Sequence, residues 1–396
     1  MLRARIAHRA HEIFEDVRSF RREMHQNPEL SFQEFETQKR IQKYLERIGI
    51  KDVTTCANTG LIALIKGNNP ESKTIALRAD IDALPITETN AVDYKSANVG
   101  VMHACGHDVH TSCLLGAATI LNELKSEFEG TIKLVFQPGE ERLPGGASIM
   151  IKEGVLKNPD VEKMLGQHVM PLIDAGKVGF RKGLYMASAD EVYITVYGKG
   201  GHAAHPHQNI DPIAISAQLI TALQTIVSRS AKPSIPSVLS IGKIVGLGAT
   251  NIIPDKVEME GTFRTFNEEW RAEAHDRIVS LAKNLVESMG GTCDVEVKKG
   301  YPFLKNDEVT TEQAQKAAIE YLGEENVEDL ELWPAGEDFA YYSQAVPSCF
   351  YRLGIRNESE NITSMLHTPT FNIDEKALET GSGLMAFLAI SALEDK

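Results

Sequence analysis

The chain has 396 residues, of which 42% are apolar and 24% are charged, and its formal net charge is -14. A chain of this length exceeds one ordinary hydrophobic core, so we expect two or three domains in a globular protein. The acidic balance argues against nucleic acid and anionic lipid as partners, since no basic stripe is available to release counterions. No stretch approaches the roughly 18 apolar residues of a membrane span. The N-terminus lacks a secretory apolar region and the five cysteines are scattered, so we expect a cytoplasmic protein without disulfide bonds.

Two helices are predicted at the start of the chain. Apolar residues recur at helical spacing over 6–24 and predict an amphipathic helix that ends before Pro28. Ser31-Phe-Gln-Glu34 has the spacing of a capping box and predicts a second helix that ends near Gly49.

Short β-branched and apolar runs then alternate with a helical pattern. The predicted strands cover 60–66, 74–79, 131–136 and 161–166, and the predicted helix covers 111–124. This α/β rhythm predicts a mixed sheet flanked by helices.

The pattern changes after Gly183. Predicted strands and helices then follow in the order βαββαβ, at 190–197, 211–227, 237–245, 256–266, 270–289 and 292–298. That order is the signature of a ferredoxin-like unit inserted in the chain. Tyr301 begins a return to the first domain, whose C-terminal helix has Asp374 as its candidate N-cap. The predicted organisation is therefore one domain formed by 1–183 and 300–396, and an inserted domain formed by 184–299.

The loop His103-Ala-Cys-Gly-His-Asp108 places a thiol and an imidazole two residues apart. Its polar residues are poor core formers, and the apolar helical run begins only after them, so Cys105 and His107 are predicted on a loop that enters a helix, as metal ligands. Asp108 would cap that helix or hydrogen-bond a liganding imidazole. His103 and His110 would lie behind the ligands or at the surface. The alternative is that Cys105 is a small buried apolar residue.

A pair of carboxylates follows the predicted strand at 131–136. Pro138-Gly139 ends that strand, and Glu140-Glu141 comes next. Adjacent residues at a strand end can point in different directions, so one carboxylate can bind metal while the other acts as a general base. The alternative is a solvated acidic turn. His168 and His367 are also predicted at transitions from strand to loop.

Several stretches together resemble the dinuclear-metal aminoacylases and carboxypeptidases, in the amidohydrolase branch that includes hippurate hydrolase, plant auxin-conjugate hydrolases and bacterial N-acetyldiaminopimelate deacetylases. The resemblance covers nearly the entire chain. The matching stretches are His25-Gln-Asn-Pro-Glu-Leu-Ser31, Leu77-Arg-Ala-Asp-Ile-Asp-Ala-Leu-Pro85, Met102-His-Ala-Cys-Gly-His-Asp108, Phe136-Gln-Pro-Gly-Glu-Glu141, Gly198-Lys-Gly-Gly-His-Ala-Ala-His-Pro206, Gly336-Glu-Asp-Phe339 and Leu366-His-Thr-Pro369.

The resemblance implies that two divalent cations are held by Cys105, His107, Glu141, His168 and His367. The Cys105 thiolate would bridge the cations, and Glu140 would be the general base. In the wider family the bridging ligand is an aspartate and one histidine ligand comes from an HxD motif, whereas the matching stretch here, Asp80-Ile81-Asp82, contains no histidine. Asp80 and Asp82 are therefore expected behind the ligands, together with Asp108. Thiolate and imidazole favour zinc, although manganese, cobalt or nickel can occupy the same ligands.

The resemblance also assigns roles within the inserted domain, which acts as a lid and dimerisation surface in the family. His202 would stabilise the oxyanion, often in the active site of the neighbouring subunit. Arg264 and Asn251 would bind a free α-carboxylate of the substrate. We expect a homodimer through this domain, or a higher oligomer.

These residues predict metal-dependent hydrolysis of the amide bond of N-acyl-L-amino acids, with a small N-acyl amino acid or dipeptide as substrate. Within the same class the alternatives are N-acetyldiaminopimelate deacetylase and short-peptide carboxypeptidase. A non-catalytic metal-binding relative would normally lack a ligand or the base, and neither is missing here. A thiol-based redox enzyme centred on Cys105 is disfavoured because no CxxC partner is present.

Overall fold

The structure is a computed structural model that describes residues 2–394. By the packing of its backbone the chain forms two compact units. The first comprises the chain up to Tyr185, Lys305–Glu331 and the chain from Asp338 onward, and the second comprises Met186–Leu304 and Leu332–Glu337. The short segment Leu332–Glu337 joins the second unit, where the Trp333 carbonyl accepts from the amide of Ala187 at 3.3 Å. The sequence patterns did not separate this segment from the 300–396 region.

The strands and helices of residues 2–394 alternate in the first unit and form a separate group in the second. The strands are β1 (Val53–Cys56), β2 (Gly60–Lys66), β3 (Thr74–Asp80), β4 (Thr131–Gln137), β5 (Lys163–Asp174), β6 (Val178–Phe180), β7 (Gly183–Met186), β8 (Asp190–Tyr197), β9 (Gly201–His202), β10 (Ser237–Val245), β11 (Ile252–Ile253), β12 (Lys256–Thr265), β13 (Thr292–Lys298), β14 (Leu304–Asn306), β15 (Val327–Asp329) and β16 (Ser348–Arg356). The helices are α1 (Leu2–Glu12), α2 (Phe14–Gln26), α3 (Phe35–Arg47), α4 (His107–Glu123), α5 (Gly146–Lys152), α6 (Pro212–Thr225), α7 (Glu268–Ser288), α8 (Glu308–Leu322), α9 (Ala340–Ala345) and α10 (Ala377–Glu394).

An eight-stranded mixed sheet forms the centre of the first unit, in the order β1-β2-β4-β3-β5-β16-β6-β15. The predicted mixed α/β fold is confirmed. β3 is parallel to both β4 and β5, and every residue of β3 and β4 is buried, as expected of parallel strands covered on both faces. Asp80 and Gln137 are paired at the carboxyl ends of β3 and β4. Polar residues that follow these two strands therefore meet at one edge of the sheet.

Helices α1, α2, α4 and α10 share one large apolar cluster with this sheet. The predicted N-terminal helix is interrupted at Ile13, so it forms α1 and α2 rather than one element. The predicted strand at 161–166 is also longer than expected. It continues as β5 to Asp174, because nearly all of its residues are buried and it pairs with β16 over most of its length.

The predicted capping box at the start of α3 is wrong. Helix α3 begins at Phe35, and the amides of Glu36 and Thr37 donate to the carboxylate of Glu29 at 3.2 and 2.7 Å. Glu29 thus satisfies the exposed amides of the first turn. Ser31 and Glu34 are directed elsewhere.

The second unit contains a four-stranded antiparallel sheet in the order β10-β12-β8-β13. Helices α6 and α7 pack with it around a single apolar cluster. With β8, α6, β10, β12, α7 and β13 in chain order, this is the topology of a ferredoxin-like βαββαβ unit. Asp211 and Asn267 cap the two helices with their side chains. No helix within residues 2–394 is long and apolar enough to cross a membrane.

Candidate metal centre

The loop before α4 brings Cys105 and His107 to the carboxyl edge of the large sheet. Gly106 between them has φ of 79°, in the left-handed region, and a Cβ on it would lie 2.6 Å from Val169 Cγ2. Glycine is the residue that tolerates both this backbone conformation and this close approach. Helix α4 begins at His107, so only Cys105 lies on the loop itself.

A second turn, after β4, carries the two carboxylates. Glu140 is buried, and its Oε1 accepts from the amide of Asp338 at 3.4 Å. The amide of Glu141 donates to Asp82 Oδ2 at 3.0 Å. Gly139, at φ of 61°, immediately precedes both residues. The solvated acidic turn that we considered is excluded for Glu140 because its side chain is inside the protein.

His168 and His367 complete the cluster. His168 lies within β5 rather than at its end, which corrects the sequence-based placement. Its Nδ1 lies 2.7 Å from the carbonyl of Val169. A carbonyl can only accept, so Nδ1 carries the proton and Nε2 keeps a free electron pair. His367 has a φ of 60°, a strained value for a residue with a side chain, and its amide donates to the Ala104 carbonyl at 2.8 Å.

These four segments place five potential ligand atoms together. Cys105 Sγ is 3.5 Å from His168 Nε2 and 3.3 Å from His367 Nε2, which is itself 3.2 Å from Glu141 Oε1. Each candidate ligand atom lies within 4.8 Å of its neighbours in the groups Cys105-His107-His168, Cys105-Glu141-His367 and His107-Glu140-Glu141.

The donor set fits a divalent metal. His107 Nε2 is buried and has no hydrogen-bond partner among residues 2–394, which is costly unless another group satisfies it. Its nearest carboxylate oxygens are Asp80 Oδ2 at 3.6 Å and Glu141 Oε1 at 3.8 Å. Thiolate, imidazole and carboxylate are the ligands of zinc and related transition metals.

The electrostatic setting of the thiol supports the same conclusion. Burial, followed by the carboxylates of Glu141 and Glu140, raises the pKa of the Cys105 thiol well above its ordinary value. A thiol in such an acidic pocket is a poor nucleophile by itself. A cation held among these carboxylates would offset their field and stabilise the thiolate. Cys105 is buried, but its polar surroundings differ from those of an inert core cysteine.

Nearby carboxylates raise the pKa of His107, which would release its Nε2 proton on binding a cation. Burial lowers its pKa, but Asp80 and Asp82 outweigh burial and raise that pKa to about 10. Asp82 Oδ1 lies 3.1 Å from His107 Nδ1 and holds the ring with Nε2 facing the cluster. His168 is the opposite case, because burial, with the Arg352 guanidinium next in effect, holds its pKa well below the usual range.

Asp80 and Asp82 lie behind the candidate ligands, but Asp108 does not support them directly. Asp80 lies 2.5 Å from His110 Nδ1 and 2.6 Å from the Arg78 guanidinium. Asp108 was expected to cap α4 or hold a liganding imidazole. Instead its Oδ2 contacts Arg21 Nε and His25 Nδ1, each at 2.8 Å, because α2 packs its charged residues against the start of α4.

His103 and His110, on either side of the candidate ligands in the sequence, are fully buried, so the surface position considered for them is wrong. His110 Nε2 accepts from the amide of Val169 at 2.8 Å and thereby links α4 to β5. Burial lowers the pKa of His103 to about 4, so this ring is neutral at physiological pH.

Three residues predicted to act on the substrate lie in the second unit. His202 is exposed on β9, and its Nδ1 accepts from the amide of Ala204 at 3.1 Å. Asn251 is exposed, and its carbonyl accepts from Ala203 at 3.0 Å, which brings the two segments together. Arg264 is partly buried on β12, and its Nε donates to Thr262 Oγ1 at 3.0 Å.

Several supporting residues were not identified from the sequence. They are Arg21, His25, Glu34, Arg78 and Asp338. An arginine inside the apolar run of β3 was a visible signal for Arg78, because a buried guanidinium requires buried acceptors. Asp338 supplies one of these acceptors, with its Oδ1 at 2.8 Å from Arg78 Nη2.

The chain is similar to known hydrolases over nearly its whole length. N-acetylcysteine deacetylase from Bacillus subtilis (strain 168) is 40% identical over 378 residues, covering 95% of this chain and 96% of that protein. Thermostable carboxypeptidase 2 from Saccharolobus solfataricus is 39% identical over 382 residues, covering 96% of each. A solved structure of the Bacillus subtilis YXEP protein, described as a dinuclear metal binding peptidase, is 35% identical with a TM-score of 0.81, covering 97% of this chain and 99% of that one.

The family assignment follows from these similarities and from a protein-family sequence model that matches most of the chain. Residues 76–391 match the model of Peptidase family M20/M25/M40, and this range contains every candidate ligand. The chain is a metal-dependent amidohydrolase, and it belongs to Peptidase family M20/M25/M40.

Proposed function

We propose that this protein hydrolyses the amide bond of N-acyl-L-amino acids and releases a carboxylate and a free amino acid. The observation that carries the proposal is the cluster of thiol, imidazole and carboxylate, in which Cys105, His107 and His168 are buried and His367 is exposed, with the buried Glu140 carboxylate beside it. The relative named N-acetylcysteine deacetylase supports this substrate class.

Cys105, His107, Glu141, His168 and His367 would hold two divalent cations, with zinc favoured and manganese, cobalt or nickel able to replace it. Such cations supply Lewis-acid chemistry, since they polarise the amide carbonyl and promote ionisation of water near neutral pH. Cys105 would contribute its thiolate to both cations, and its Sγ lies 3.5 Å from His168 Nε2 and 3.3 Å from His367 Nε2.

Glu140 would act as the general base. Its carboxylate shares the cluster with His107 and Glu141, and its position is fixed by the Asp338 amide. It would take a proton from the attacking water and return it to the nitrogen of the leaving amino acid.

His202 would donate a hydrogen bond to the oxyanion. Because Nδ1 accepts from the amide of Ala204, the neutral ring carries its proton on Nε2. An Nε2–H group is the donor that the developing negative charge on the carbonyl oxygen requires.

Arg264 and Asn251 would bind the α-carboxylate of the substrate. Burial lowers the pKa of the Arg264 guanidinium, and the carboxylates of Asp190 and Glu191 offset that effect only in part. A substrate carboxylate would supply a closer acceptor in bidentate geometry.

A substrate series tests the proposed activity. Metal-reconstituted protein would be assayed with N-acetyl, N-benzoyl and long-chain N-acyl amino acids, N-acetyldiaminopimelate and dipeptides, each beside its α-carboxamide analogue. We expect kcat/KM to be highest for N-acyl amino acids and to fall at least about a hundredfold when the carboxylate becomes an amide. Preferential cleavage of dipeptides would favour a carboxypeptidase, which the 39% identical carboxypeptidase 2 makes the second candidate.

We also propose that the second unit is a lid and a dimerisation surface, and that His202 acts in the active site of the neighbouring subunit. The proposal can be tested by mixing two inactive proteins, Glu140→Gln and His202→Ala. A mixed dimer would contain one intact composite site, so activity should return on subunit exchange. Exchange without recovery would show that His202 serves its own chain or takes no part in catalysis.

A further inference from the structure

The carboxylate of Glu34 is turned into the protein and fully buried. Its predicted place at the start of α3 is not required, because Glu29 already accepts from the first amides of that helix. Burying a carboxylate is costly unless its oxygens are hydrogen-bonded. The partners of Glu34 therefore indicate what the side chain does.

Three donors surround this carboxylate. Oε1 accepts from the amides of Phe32 and Gly139 at 2.8 and 2.9 Å, and Oε2 accepts from Thr59 Oγ1 at 2.6 Å. Gly139 is the residue immediately before Glu140 and Glu141. Glu34 thus reaches the turn that carries Glu140 and Glu141 from a segment more than a hundred positions away in the chain.

The same turn also packs against an aromatic ring. A Cβ on Gly139 would lie 2.3 Å from the ring of Phe32, and Gly139 has a φ of 61°. Glycine has an unusually wide choice of backbone conformations. Without an external contact, Gly139 would allow Glu140 and Glu141 to reorient together.

Further along the turn, the amide of Glu141 is held by Asp82, and Glu140 receives the amide of Asp338. Both contacts lie after Gly139. The glycine itself makes two hydrogen bonds: its amide donates to Glu34, and its carbonyl accepts from the amide of Gly146 at 3.1 Å. Loss of Glu34 would therefore release the amide side of Gly139, while the contact with Gly146 would remain.

We propose that Glu34 is a positioning residue that fixes the Gly139 amide and thereby directs Glu140 and Glu141 toward the metal centre. This inference rests on the proposed function, in which Glu141 is a ligand and Glu140 is the base. A displacement of about 1 Å at such groups lowers rates by up to about a hundredfold. Residues that support ligands typically change metal affinity or activity by about ten- to a hundredfold.

The test compares Glu34→Ala and Glu34→Gln in the metal-loaded protein. Alanine removes every hydrogen bond, whereas glutamine can still accept from both amides through Oε1 and donate to Thr59 Oγ1. We expect Glu34→Ala to lower kcat by about ten- to a hundredfold and cobalt affinity by about tenfold, with KM within about threefold. Glu34→Gln should retain kcat within about threefold of the parent.

Glu29→Gln is the matched control, since Glu29 contacts the helix start and not the turn. It can lower the melting temperature, but kcat per metal-loaded site should be unchanged. If Glu34→Ala does not fold, Glu34→Asp replaces it, because the shorter side chain cannot reach Gly139 and Thr59 together. Parent-like kcat and cobalt affinity in the folded variant would overturn the proposal, as would equal defects in the alanine and glutamine variants.

The cobalt spectrum separates this inference from the proposed function. Cobalt bound by the Cys105 thiolate gives a charge-transfer absorption that does not depend on substrate. If the parent protein cleaves no N-acyl amino acid, the proposed function fails, but an altered cobalt spectrum in Glu34→Ala and an unaltered one in Glu34→Gln would still support positioning by Glu34. Identical spectra in all three proteins would reject it.

Discussion

The burial of Glu34 predicts that the difference in stability between the parent protein and Glu34→Gln changes with pH. Burial, with the nearby Asp82 carboxylate next in effect, raises the pKa of Glu34 from 4.5 to about 7. In the unfolded chain the side chain ionises near its ordinary value. The gap between the two pKa values corresponds to about 3 kcal/mol of unfolding free energy.

The direction of this pH dependence follows from whether Glu34 loses its proton first in the folded or in the unfolded protein. Below pH 4.5 Glu34 is protonated in both states and contributes no difference. As pH rises, the unfolded chain loses its proton first, while the folded protein retains it until pH reaches about 7. The parent protein therefore loses stability over this interval relative to Glu34→Gln, which has no proton to lose.

Urea unfolding of both proteins between about pH 4.5 and pH 8, with a chelator present so that bound cations do not alter the field at Glu34, measures this difference. The stability of Glu34→Gln relative to the parent should increase by about 3 kcal/mol across the range. Glu36→Gln is the control, because Lys39 lowers the pKa of that exposed carboxylate and its effect has the opposite sign. A difference between Glu34→Gln and the parent that does not change with pH would refute the reasoning.

Other substitutions test the remaining assignments. Glu140→Gln should lower kcat at least about a hundredfold with near-normal metal content; loss of metal with retained activity per bound cation would exchange its role with that of Glu141. Cys105→Ser should lower metal occupancy, whereas Cys113→Ser should not, and thiol reagents should modify Cys105 only after metal removal. Equal modification with and without metal would exclude Cys105 from the centre. Arg264→Ala should mainly raise KM and reduce the preference for a free carboxylate, as the carboxamide analogues would show.

The elements of the second unit were predictable because their sequence pattern is regular. Strand β13 alternates between exposed and less exposed residues along its whole length, and an antiparallel sheet with one open face produces that alternation. The predicted bounds of β8, β10 and β13 coincide with those observed. The segment 332–337 was missed because its association with Ala187 depends on a long-range backbone contact that has no periodic signal.

The candidate ligands could also be predicted from the sequence, but the residues that hydrogen-bond to them could not. Cysteine, histidine and paired glutamates in polar loops are distinctive residue types at distinctive places. His168 was placed at a strand end because a polar residue after an apolar run usually marks one. In the structure β5 continues through it, since Val169, Met170 and Pro171 are again buried.

Glu34 shows most clearly why local patterns do not determine supporting roles. Ser31 and Glu34 have the spacing of a capping box, and the spacing alone gives no reason to prefer another arrangement. Glu29 reaches the same helix start from further back in the chain. Ser31 is then free to donate to Asp82 at 2.6 Å, and Glu34 is free to accept from Gly139.

The consequence is that one short segment, 31–34, supports both sides of the proposed metal centre. Through Ser31 and Asp82 it reaches the ring of His107, and through Glu34 and Gly139 it reaches the turn that carries Glu140 and Glu141. Buried polar contacts of this kind add little net stability, because desolvation offsets most of their energy. Their contribution is to position side chains, since each contact restricts the orientation of a candidate metal ligand or of the proposed base. A centre whose candidate ligands come from four separate segments requires such contacts, because no single element holds its atoms in place.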